Sequence, residues 1–122
     1  MYIRSESTSE SFIANDGCRI VELVHPKHSA DIEALEFSLA VAEVAVGEET
    51  YRHRLEQTEA YYILAGRGEM HIDDEAAVLT DGDAVVIPAG SVQWIRNVGE
   101  VTLKFTAIVS PPWSKEGDHL VR

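Results

Sequence analysis

The sequence predicts an all-β domain, a sandwich or barrel of short antiparallel strands. Turn signals recur at short intervals, at Gly66-Arg67-Gly68, Asp73-Asp74, Asp81-Gly82-Asp83 and Asn97-Val98-Gly99. The segments between them are rich in β-branched and aromatic residues, and one alternates strictly: Val101, Leu103, Phe105, Ala107 and Val109 against Thr102, Lys104 and Thr106. No amphipathic helical period appears, and residues 29–36 allow one helical turn at most. Short strands punctuated in this way are the pattern of sandwiches and barrels.

The elements follow in order. Residues 1–16 are rich in Ser, Glu and Thr and read as a loose arm, at most an edge strand. Residues 17–112 form the barrel. Within it "CRIVELVHP" is a short strand stopped by Pro26, and "KHSADIEA" is a loop. "LEFSLAVAEVAVG" is a long strand, or two joined by a bulge, with Leu35, Phe37, Leu39 and Val41 on one phase. "AYYILAG" and "GEMHID" flank the Gly66–Gly68 turn, and "AAVLTDGDAVVIPAG" gives two strands around Gly82. "SVQWIRNVGE" and "VTLKFTAIV" are the last two strands. Residues 113–122 are a tail that docks through Trp113.

A chain of 122 residues fits one domain and can build a core without staples. A net charge of -11 excludes the nucleic-acid classes, since phosphate contacts need clustered Lys and Arg. It also excludes docking on anionic membranes and favours a neutral or cationic small molecule. No run approaches the roughly 20 apolar residues of a membrane span, and the polar N-terminus lacks the apolar core of a signal peptide. A cytoplasmic location is the expectation. Cys18 is the sole cysteine, so no intramolecular disulfide or thiolate metal site can form.

Of five histidines, His25, His28, His71 and His119 read as surface residues. His53 differs. It shares strand parity with Leu55, Glu59, Tyr61 and Ile63, so a continuous phase would turn His53, Glu59 and Tyr61 inward together. An inward carboxylate is costly without a partner, and a metal ion or a bound ligand would relieve it. Tyr61 is then either a core aromatic or a hydroxyl that binds substrate and donates a proton. Arg52 and Arg54 point the other way and are expected to pair with surface acids. Trp94, next to Gln93, should also face outward.

Two blocks resemble the paired motifs of the cupin superfamily. The first, G-x5-H-x-H-x3,4-E-x6-G, is met by Gly47, His53, Glu59 and Gly66, with Leu55 in place of the second histidine. The second, G-x5-P-x-G-x2-H-x3-N, is met by Gly82, Pro88, Gly90 and Asn97, with Gln93 in place of the histidine. The resemblance covers roughly residues 35–110. It implies a single-domain, cupin-like double-stranded β-helix, a jelly-roll barrel, and a homodimer whose N-terminal strands pack across the interface. It implies a divalent metal (Fe, Mn, Ni or Zn) on His53, Glu59 and Gln93, with Glu59 and Tyr61 as catalytic residues and Ile63, Val85 and Ile95 around the pocket. Three functions are compatible with this. One is a metal-dependent enzyme of dioxygenase or isomerase type acting on a small organic molecule. Another is a non-catalytic module that binds a sugar or small metabolite at a degenerate metal site. The third is a structural protein with a vestigial pocket.

Overall fold

A computed structural model describes residues 1–122. It contains eleven strands, β1 (Phe12–Ile13), β2 (Arg19–Val24), β3 (Ser38–Val44), β4 (His53–Leu55), β5 (Thr58–Ala65), β6 (Arg67–Ile72), β7 (Glu75–Thr80), β8 (Ala84–Ile87), β9 (Val92–Asn97), β10 (Leu103–Ser110) and β11 (Asp118–Leu120). Only three short 3-10 turns interrupt them, at Glu6–Thr8, Pro26–His28 and Ala30–Ile32. A six-stranded sheet runs β1-β2-β3-β10-β5-β8, and a five-stranded sheet runs β11-β4-β9-β6-β7. All pairings between strands are antiparallel. The fold is thus all-β, as the turn spacing predicts.

The two sheets close on a core built from inward residues of alternating strands. Ile63 and Tyr61 of β5, Met70 of β6, Ile95 of β9, and Leu103 and Phe105 of β10 are buried within it. Tyr61 and Phe105 pack with ring centroids 4.3 Å apart. Asn97 ties the corner of the second motif: its Nδ2 donates to the carbonyls of Val44 and Val101, and its Oδ1 accepts from Gly99 N–H. That is a structural reason for an asparagine there, since buried backbone carbonyls need donors.

Gly66 links β5 to β6 at φ 99°, where a Cβ would lie 3.0 Å from Leu103 Cα. Only glycine takes that conformation in that space. No helix is long and apolar enough to cross a membrane.

Several expectations are corrected. The long strand after residue 34 begins only at Ser38, and Phe37 is exposed. Ser38, Ala40, Ala42 and Val44 form its inward phase, and Val41 is buried on the opposite face. The tail carries a strand, β11, which pairs with β4. The N-terminal arm carries an edge strand, β1, paired with β2, as the sequence allows. Arg52 and Arg54 make no ion pair; Arg52 lies over the Trp94 ring, 4.0 Å from its centroid. Trp94 faces outward as expected, and His71 stacks on it at 4.2 Å. Ile63 and Ile95 sit fully buried in the core, and Val85 packs against that core; none of the three borders the cavity described next.

Candidate functional site

Between the sheets lies a cavity of about 60 Å³, several times the roughly 10–15 Å³ that one water requires. Its origin is in the sequence. Ser38, Ala40 and Ala42 of β3 and Ala107 of β10 lie side by side on the inner face, and their short side chains leave a gap. Tyr61, Phe105 and Val109 border it with apolar surface.

Strand alternation carries the polar groups to this gap. β4 turns His53 and Leu55 inward and Arg54 outward. β5 turns Glu59, Tyr61 and Ile63 inward. His53 and Gln93 face each other across the β4–β9 pair. All four residues picked out by parity and motif are buried. His53, Glu59 and Tyr61 border the cavity, whereas Gln93 does not. Gln93 sits behind Tyr61, and its Oε1 accepts the Tyr61 hydroxyl at 3.1 Å.

Two acidic residues that motif reasoning missed complete the site. Asp118 Oδ1 lies 3.0 Å from His53 Nδ1, and its Oδ2 accepts the Trp113 indole N–H at 3.1 Å. Asp16 Oδ2 lies 3.5 Å from His53 Nε2, close enough for charge attraction but outside hydrogen-bond geometry. The imidazole is therefore flanked by a carboxylate at each ring nitrogen. Asp16 comes from the turn between β1 and β2, and Asp118 from β11, segments with no local pattern that announces a site. Two buried atoms at the cavity are left without a hydrogen-bond partner: Nε2 of His53 and Oε1 of Glu59.

Burial sets the electrostatics. Glu59 is desolvated, which pushes its carboxyl up to about 8 despite the opposing pull of His53 and Gln93. Burial opposes the charged form of His53, but the Asp118 hydrogen bond and the charges of Asp16, Asp118 and Glu59 outweigh it, so its pKa is raised. Asp16 is raised by desolvation, partly offset by His53. Tyr61 is held well above the usual phenol range, first by burial and then by Glu59. Burial also raises the Cys18 thiol, which leaves it unreactive. Near neutral pH Glu59 carries a proton, and the carboxylates around His53 favour its charged form. Both unpartnered atoms then belong to hydrogen-bond donors, and together they suit a ligand oxygen.

The same atoms test the metal that the motif resemblance implies. His53 Nε2 and Glu59 Oε1 are free to ligate. Leu55 offers no donor, and the Gln93 oxygen is taken by Tyr61. Asp16 and Asp118 stand at opposite ring nitrogens instead of converging on one point. No three His, Cys, Asp or Glu side chains gather closely enough to share an ion. Without such a cluster the residues present fall short of the three or more protein ligands that hold a transition metal, so they do not fit a resident ion.

Comparison with known proteins agrees with the barrel. Residues 40–109 match the family model described as the cupin domain. An uncharacterized protein of Methanocaldococcus jannaschii, MJ1618, is 38% identical over 111 residues, covering 90% of this chain and 86% of that protein. Among solved structures, the polyketide cyclase RemF from Streptomyces resistomycificus superposes with a TM-score of 0.79 at 19% identity, over 100% of this chain and 86% of that one. An RmlC-like cupin from Shewanella frigidimarina gives a TM-score of 0.75 at 17% identity, over 95% and 94% of the two chains. The Streptomyces protein PAC13, solved with uridine, gives 0.76 at 16% identity, over 100% and 92%. With more than half of its length matched by the family model and both cupin blocks placed on one barrel, the chain belongs to the cupin domain family.

Proposed function

We propose that this cupin binds a small, neutral organic molecule inside its barrel, without a resident metal. The observation that carries this reading is the pair of buried, unpartnered atoms, His53 Nε2 and Glu59 Oε1, on side chains bordering a cavity floored by small residues. A buried polar atom without a partner costs about 1–3 kcal/mol, and a ligand oxygen between these two donors would remove that cost twice. The ligand's apolar body would lie on Tyr61, Phe105 and the alanine floor. The neighbours' named ligands and activities differ among themselves, from a polyketide cyclase to a protein solved with uridine, so they favour an organic occupant but select none.

Acid–base turnover is the second reading. It is favoured by Glu59, which keeps its proton to about 8, standing in the same cavity as a His53 oriented by Asp118. In that case Glu59 would protonate the bound oxygen and His53 would hold it in place.

A thermal-shift screen of sugars and small metabolites tests the binding reading, because a ligand that binds only the native state raises the melting temperature. At least one compound is expected to raise it, and Glu59→Leu is expected to abolish that shift. A broad screen with no shift would overturn the reading. Metal analysis on protein purified without chelator or nickel resin is expected to show far less than one ion per chain. Near-stoichiometric iron, manganese, nickel or zinc that is lost in His53→Ala would replace this reading with a metal-dependent one.

A further inference from the structure

We propose that Glu22 is a second polar anchor of the cavity, and that it takes a hydroxyl group at the far end of the bound molecule. The ligand would then be a neutral compound carrying a hydroxyl at each end. This rests on the ligand-binding reading above and adds the chemical class of the ligand.

Glu22 is a buried carboxylate that projects into the cavity from β2. Its Oε1 is engaged by Lys27 Nζ at 3.0 Å and His28 Nε2 at 2.9 Å, both from the turn Pro26–His28. Its Oε2 accepts no hydrogen bond from the protein and is not sealed off. One oxygen is fixed by the turn, and the other is left without a protein partner.

The backbone also aims this residue. β2 and β3 pair Glu22 with Ala40 and then Val24 with Leu39, so one extra residue, Leu23, bulges out directly after Glu22. Bulges of this kind re-aim side chains beside functional sites.

The position is opposite the first anchor. Register places Glu22 beside Ala40, Ala40 beside Ala107, and Ala107 beside Tyr61. Glu22 and Tyr61 are therefore three strand spacings apart, about 14 Å between backbones before side chains reach inward. Glu59 is the next inward residue on the Tyr61 strand. Between the two anchors lies only the alanine floor. A carboxylate already ion-paired with Lys27 and hydrogen-bonded by His28 calls for a neutral donor at its other oxygen, which a hydroxyl provides. At the other end His53 and Glu59 offer donors, which the second hydroxyl accepts.

A purely structural role is the competing account, in which Glu22 only ties the 3-10 turn to β2. The two separate by ligand selectivity. The full chain would be titrated with 1,6-hexanediol and with 1-hexanol, following the methyl resonances of Ala40, Ala42 and Ala107. The diol is expected to bind about 10-fold more tightly or better, the value of one hydrogen bond to a charged group. Glu22→Leu should bring that ratio to about one while 1-hexanol affinity is kept. Glu22→Gln, which retains the shape and one acceptor, should give an intermediate ratio and guards against loss of folding in the leucine variant. Equal binding of the two compounds to the unaltered chain, or a diol preference that survives in both variants, would overturn the inference alone. No shift of any alanine methyl with either compound would overturn it together with the ligand-binding reading.

Discussion

Glu59 is the residue at which burial and charge conflict most. Its carboxyl is pushed up to about 8, against about 4.3 for a free glutamic acid in an unfolded chain. The folded state therefore binds a proton that the unfolded state has released, and stability falls as pH rises between those values. The slope reaches at most about 1.4 kcal/mol per pH unit for one such group. His53 and Asp16 are also raised, so they act in the same direction over their own ranges. Urea melts at pH 5, 6.5 and 8 should show this loss of stability, and Glu59→Gln should flatten it because the amide has no proton to release. An unchanged slope in the variant would mean that Glu59 is ionised when folded, and the donor role assigned to it would fall. His53 and Glu59 are legible in the sequence because a strand's two-residue period and the cupin spacing both select them. Gln93 is misleading for the same reason: motif position places it near the site, but its oxygen is spent on Tyr61. Asp16, Glu22 and Asp118 are not legible, because what brings them to the cavity is their meeting with His53, Lys27 and His28 in space.

At the scale of elements, the strands the sequence shows plainly are those with long alternation or firm turns, β5 through β10. The turn between β5 and β6 illustrates why. Gly66 combines φ 99° with backbone of Thr102 and Leu103 about 3 Å from where a Cβ would stand, whereas Gly82, also at positive φ, has nothing within 4 Å. Gly66→Ala should thus cost more than the roughly 1–3 kcal/mol of backbone strain expected for Gly82→Ala alone. Chemical denaturation of the two variants side by side checks this, and equal losses would show that the close approach to β10 is relieved by a small backbone shift. β1 and β11 escape a reading by pattern because two or three residues carry no period. β3 shows two apolar phases in the sequence, and only the fold shows that the one with small residues, Ser38, Ala40 and Ala42, turns inward to make room. The site and the elements are linked: β11 brings Asp118 to His53 Nδ1, and Trp113, which orients Asp118, also offers its carbonyl to His25 at 2.8 Å. The turn that holds Glu22 and the tail that holds His53 are thereby joined by one hydrogen-bonded path.

For the whole molecule, a charge of -11 sets where another copy could approach. On the outer face of the six-stranded sheet, the charged pairs Arg19–Glu43 and Lys104–Glu6 lie over β2, β3 and β10, while the β5–β8 end is apolar. Ala60, Tyr62 and Leu64 of β5 neighbour Ala84 and Val86 of β8, with Ile108 of β10 alongside. Val86 is 66% exposed and Tyr62 45%, values unusual for an apolar sheet face left in water. β8 is also the outermost strand on that side, so its free backbone edge lies beside the patch. Two like-charged chains can meet there with little repulsion and with apolar area to bury. A homodimer through this face is the expected state; β1, paired with its own β2 on one side only, is the alternative interface that the family resemblance implies. Sedimentation equilibrium at micromolar concentration should give twice the chain mass, and Val86→Glu should give monomers of unchanged secondary structure, because that side chain touches no part of the core. A monomeric native chain would refute the dimer. A dimer that survives Val86→Glu together with Tyr62→Glu would place the contact elsewhere, at one of the other sheet edges, β1, β7 or β11.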